Sequence, residues 1–126
     1  MRQEVPSITM KLTIGNTVWT ATLADNTSAA ALRTLLQNGP LTVAMQDYAG
    51  MEKVGPLGQH LPRNDKQITA APGDLILYQG DALVIYYAPN AWSFTRLGRI
   101  DNVTQKDLKT VLGKGSVTVT LSLDEA

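Results

Sequence analysis

The stretch ITMKLTIGNTVWTATL, residues 8–23, decides the architecture. Ile8, Met10, Leu12 and Ile14 alternate with Thr9, Lys11 and Thr13, the period of two that gives a strand one buried face. Gly15-Asn16 is a two-residue hairpin signal, and the returning segment puts Trp19, Ala21 and Leu23 on one side. These two strands are expected to pair. Near the C-terminus the pattern recurs, with Val117, Val119, Leu121 and Leu123 set against Ser116, Thr118, Thr120 and Ser122. Residues 75–79 and 82–87 flank Gly80-Asp81 and follow the turn Ala71-Pro72-Gly73-Asp74, which predicts a second hairpin. Further strands are expected over 41–47 and 51–54, divided by Tyr48-Ala49-Gly50, and over 92–100.

Two helices carry start and stop signals. Asp25, Asn26 and Thr27 offer caps for 28–37, whose stripe is Leu32, Leu35 and Leu36, and Asn38-Gly39-Pro40 ends it. Thr104 with Asp107 three residues on resembles a capping box, Leu108, Val111 and Leu112 form the apolar face, and Gly113 stops the helix. Many strands with two short helices favour a closed or nearly closed antiparallel barrel, since closure removes strand edges that a small sheet must otherwise protect.

The chain has 126 residues, with 11 Lys and Arg balanced by 11 Asp and Glu and no cysteine. That length suits one domain, expected over 7–126 behind a loose segment at 1–6. Zero net charge argues against nucleic acid as a partner, because displacing counterions from phosphate needs a basic surplus. Without cysteine there are no disulfides, thiolate zinc sites or thiol nucleophiles. The first residues show no export signal, and the longest apolar run, 82–88, is far below the ~20 residues of a membrane-spanning helix. A cytoplasmic protein without membrane contact, monomeric or weakly dimeric, is expected.

Several short runs recur in a family order. They are Asn26-Thr27-Ser28-Ala29 at the first helix, Met45-Gln46-Asp47 followed by Glu52-Lys53, and the steps Pro56-Leu57 and Leu61-Pro62. Pro72-Gly73-Asp74 before Leu77-Tyr78, Leu83-Val84-Ile85-Tyr86-Tyr87 and Phe94-Thr95-Arg96-Leu97-Gly98-Arg99-Ile100 complete the set. With these runs the chain resembles, over nearly its full length, the small bacterial cyclophilin-like domains, a group without an established function. The resemblance implies a mainly β fold: a closed eight-stranded antiparallel barrel with two short capping helices. True cyclophilins catalyse prolyl cis–trans isomerisation with an arginine in a Phe-His-Arg run. No such run exists here, since the only phenylalanine is Phe94 and the only histidine, His60, precedes Leu61. Fold can persist without activity, so no catalytic residue is assigned.

Most isolated candidates have a structural explanation. His60 lies in Gly58-Gln59-His60-Leu61-Pro62 with no second histidine, which reads as a solvated loop, and no metal or cofactor is implied. Asp74 and Asp81 sit in glycine turns, where aspartate bonds locally to backbone. Gly113-Lys114-Gly115-Ser116 lacks the upstream glycine and following helix of a phosphate loop and reads as a helix stop and turn. Asn26-Thr27-Ser28 and Asn102-Val103-Thr104 match a glycosylation pattern but stand at helix starts, where capping explains them. What remains is aromatic and charged. Alternation puts Trp92, Phe94, Arg96 and Gly98 on one strand face, and the resemblance implies that the hairpin carrying Asp47 and Glu52 lies near the barrel's open side, which makes both candidate partners of Arg96. One reading is a buried ion pair that orients the barrel core. The other is a groove with an apolar floor and one cationic handle, holding a peptide or small metabolite without catalysis at the place of the cyclophilin active site. A prolyl isomerase with a displaced arginine, or a structural and partner-binding module, are the alternatives.

Overall fold

The hairpin of residues 8–23 forms as its alternation predicts. In the computed structural model, which describes residues 8–113 and 115–123, β1 (Thr9–Ile14) and β2 (Thr17–Leu23) pair with Leu12 opposite Trp19. Gly15 turns the chain at φ 58°, a conformation that costs glycine little. The segment 1–6, expected to be loose, lies outside the described residues. The remaining elements are α1 (Thr27–Gln37), β3 (Leu41–Tyr48), β4 (Glu52–Pro56), β5 (Lys66–Ala70) and β6 (Asp74–Tyr78), then β7 (Ala82–Tyr86), β8 (Asn90–Ile100), α2 (Gln105–Leu112) and β9 (Val117–Leu123).

Eight strands close a ring in the order β2, β1, β9, β3, β4, β7, β6, β8, with β2 pairing β8 and every pairing antiparallel. The expected barrel is therefore present. β5 is an addition to it: this ninth strand pairs only with the first half of β8, outside the ring. Its sequence, Lys66-Gln67-Ile68-Thr69-Ala70, has two apolar residues and too weak an alternation to announce a strand.

The closing pair, β8 on β2, depends on a glycine. A Cβ on Gly98 would stand 2.5 Å from the Thr22 carbonyl oxygen, so only glycine lets β8 approach β2 this closely. Beside it β8 slips register. Leu75 faces Gly98 while Ile76 faces Arg96, which leaves Leu97 as the extra residue of a β-bulge. The face expected to hold Trp92, Phe94, Arg96 and Gly98 is broken there.

The interior is filled from inward positions such as Met10, Leu12, Val43, Met45, Leu75, Leu83, Ile85, Leu97 and Leu121, all fully buried. Ala29, Leu32 and Leu36 of α1 and Leu108 and Leu112 of α2 join the same cluster, so both helices plug the barrel. Asn26 caps α1 by accepting from the Ala29 N–H at 2.8 Å. Thr104 and Asp107 complete the capping box of α2. A second, smaller cluster lies on the outer face, where Ala70 of β5 and Phe94 of β8 pack on Ile76, Val84 and Tyr86. No helix among the described residues is long and apolar enough to cross a membrane.

Candidate functional site

The ribbon of β5 and the first half of β8 packs against the outer face of the barrel, and a groove of about 500 Å³ opens beside it. Val54, Tyr86 and Phe94 line its apolar part, the last two with ring centroids 5.5 Å apart and planes tilted by 58°. Tyr48, Tyr78 and Trp92 stand at its lip, Trp92 being 60% exposed. Strand register explains the convergence. Tyr48 lies opposite Glu52, Glu52 opposite Tyr86, and Val54 opposite Val84, so these side chains share the outer face.

Among the described residues Glu52 is the one charged side chain that lines the groove, and it is just 9% exposed. Burial raises its carboxyl above the ordinary carboxylate range; the Tyr86 hydroxyl hydrogen bond opposes that rise and the nearby charge of Asp47 adds to it. Asn90 Nδ2 donates to Tyr86 Oη at 3.1 Å, and Glu52 lies opposite Tyr86 on the adjacent strand, so the three polar groups line the same groove. Burial holds the Tyr86 phenol neutral, with its pKa pushed up to about 12. No lysine or arginine among the described residues pairs with Glu52, although four ion pairs occur elsewhere among them.

The sequence candidates separate between faces. Trp92, Phe94 and Glu52 meet in the groove. Asp47 points to the other face of the same hairpin, because it pairs across the strands with Lys53, not with Glu52. There it accepts a short hydrogen bond from Tyr87 Oη and lies 3.3 Å from Nζ of the fully buried Lys53, which also donates to the Gly115 carbonyl at 2.6 Å. The Tyr87 hydrogen bond, followed by Lys53, holds the Asp47 carboxyl below its usual range.

Arg96 pairs with neither expected partner. Its Nη2 lies 3.2 Å from Oδ2 of Asp74, whose side chain is fully buried and also accepts from Arg99 Nε at 2.7 Å. Strict alternation would set Arg96 and Arg99 on opposite faces, and the bulge at Leu97 brings both to one carboxylate. Asp74 also accepts from the Ala71 N–H at 2.9 Å, so the expected turn role holds but is only part of its function. Arg96 lines a second cleft of about 290 Å³ with Asn26, Asn64 and Lys66, and Phe94 stands between this cleft and the aromatic groove. His60 sits exposed in the loop before β5.

Tyr48, Tyr78, Tyr86 and Asn90 were absent from the candidates read in sequence. A signal for their face existed: Leu75-Ile76-Leu77 and Leu83-Val84-Ile85 are apolar at every position, which means the outer face is covered as well as the inner one.

Comparison with known proteins agrees with this architecture. A family model described as "Cyclophilin-like family" matches residues 12–122. None of the curated proteins gives a significant match. Among solved structures, the chain is similar to a hypothetical protein, AF2241, from Archaeoglobus fulgidus, at 15% identity and a TM-score of 0.68. That match covers 98% of this chain and 99% of the other, and at such identity it speaks for the fold alone.

Proposed function

The chain belongs to the cyclophilin-like family, and from that premise we propose that it is a binding protein that holds a small metabolite or short peptide, without catalysis, in the outer aromatic groove. We take this groove as the counterpart of the one in which true cyclophilins hold their peptide. The observation that carries the reading is the combination of Tyr86 and Phe94 inside, Trp92 and Tyr48 exposed at the lip, and a buried carboxylate between them. Large aromatic surface kept open to water around convergent polar groups is the composition of a ligand pocket.

The same lining argues against isomerase chemistry. Rotation about a prolyl bond, with a barrier of roughly 20 kcal/mol, is assisted by a cation that hydrogen-bonds the prolyl nitrogen as conjugation is lost. No lining side chain of the groove is cationic, and Arg96 is held by Asp74 in the neighbouring cleft. A protease-coupled assay on proline-containing peptides is expected to show no acceleration. Acceleration that Arg96→Ala abolishes would overturn the non-catalytic reading.

Thermal melts across metabolite and peptide collections test the binding itself, because a ligand selective for the folded state raises Tm. At least one compound is expected to raise it in the wild type and to lose that effect in Trp92→Ala. A flat response throughout would contradict the proposal and favour a purely structural or protein-interaction role.

A further inference from the structure

Glu52 poses a physical question that the aromatic groove by itself does not answer. A carboxylate nine-tenths buried is costly unless it is paired, and Tyr86, opposite it on the adjacent strand, carries no positive charge. The fully buried carboxylate of Asp74 has two arginines, and the buried Lys53 has Asp47. Among the described residues, then, these buried charges have counter-ions and Glu52, which faces the groove, has none.

The walls around Glu52 have a matching property. Tyr, Trp and Phe rings present negative faces that attract cations, most strongly where water is displaced. Rings share the groove with the carboxylate: Tyr48 and Tyr86 lie opposite it on adjacent strands, and Trp92, Tyr78 and Phe94 line the same groove. A primary ammonium would bring three N–H donors to a site where, beyond Glu52, the acceptors are neutral, the Asn90 amide and the tyrosine hydroxyls, on a mostly aromatic wall. A carbon-substituted ammonium has fewer donors, is weakly hydrated and offers its alkyl groups to the rings. From this juxtaposition of one buried carboxylate and five rings we infer that the groove binds a small organic cation bearing a quaternary or tertiary ammonium, with Glu52 as its counter-ion. The inference rests on the groove being the binding site, and it names the ligand's chemical class. The groove's volume lies in the ordinary range of small-molecule sites.

The test is calorimetric titration with choline and with its uncharged isostere 3,3-dimethylbutan-1-ol, in which carbon replaces the nitrogen. Wild type, Glu52→Gln and Trp92→Ala are compared. Choline is expected to bind the wild type at least about tenfold more tightly than the isostere, the equivalent of roughly 1.4 kcal/mol. Glu52→Gln should bring choline down to the isostere's affinity while leaving the isostere unchanged, and Trp92→Ala should weaken both. Equal binding of the two probes in the wild type, lost in Trp92→Ala, would overturn the cation assignment and leave the groove as a neutral site. Choline binding that both variants retain would overturn it by placing the ligand elsewhere. No binding of choline at millimolar concentration would also overturn it, and the thermal melts then judge the groove independently. Gln is nearly isosteric with Glu and Trp92 is exposed, so both variants are expected to fold, and circular dichroism checks this.

Discussion

Asp74 is fully buried and accepts hydrogen bonds from Arg99 Nε, Arg96 Nη2 and the Ala71 N–H. With two cations on one carboxylate, either can be removed while the other still compensates. Arg96→Ala and Arg99→Ala are each expected to cost about 1 kcal/mol, as for a partly exposed pair. Removing both strands the carboxylate and should cost about 3–5 kcal/mol, more than the sum. Urea melts of the four proteins check this, and strict additivity would contradict shared pairing. Glu52 presents the opposite case. Its folded pKa is raised, so its contribution to stability is fully present below the ordinary value of 4.5 and is lost as pH rises through the raised one. Near pH 7 the wild type carries that loss, so Glu52→Gln is expected to be more stable than wild type. The advantage should shrink toward zero at pH 4, which melts at the two pH values measure. At this scale the sequence revealed Asp74 as a turn residue and Arg96 as a charge beside aromatics. Their partnership stayed hidden because a bulge, which leaves no mark in alternation, brings distant residues together.

Among the elements, the ring strands were legible where one face is apolar, as in β1, β2 and β9, and the Gly15-Asn16 turn joined the first two. The ribbon that builds the groove was not. β5 offers only Ile68 and Ala70 to the outer cluster and turns its other residues to solvent, so hydrophobic periodicity says little about it. Since β5 stands outside the ring, Ile68→Asp is expected to undock it while the barrel survives. Hydrogen exchange should then accelerate over 66–70 and 90–94, with protection of β1 and β9 unchanged. Loss of protection throughout would mean that the ribbon is integral to the barrel. Gly98 marks the other vulnerable element. With only 2.5 Å between an added Cβ and the Thr22 carbonyl oxygen, Gly98→Ala must push β8 from β2, at an expected cost of about 1–3 kcal/mol. A urea midpoint equal to that of wild type would show that closure tolerates the methyl.

As a whole, the molecule separates the closed barrel from the groove proposed to bind. A ring closed on itself, with helices plugging the interior, leaves the outer face free to carry a groove whose floor belongs to the barrel and whose wall belongs to the added ribbon. The barrel was readable from local patterns because strands, turns and caps are local. The groove was readable only in part, through Trp92, Phe94 and Glu52, because its other side chains come from strands whose register decides which face they share. Residue-resolved chemical-shift mapping tests the groove most directly: ¹⁵N-labelled protein is titrated separately with choline and with a proline-containing tetrapeptide. The groove predicts saturable shifts for at least one of them, centred on Tyr48, Glu52, Tyr78, Tyr86, Trp92 and Phe94, with β1 and β9 unmoved. Titrations that leave these residues unchanged, or shifts centred on another face of the barrel, would contradict it.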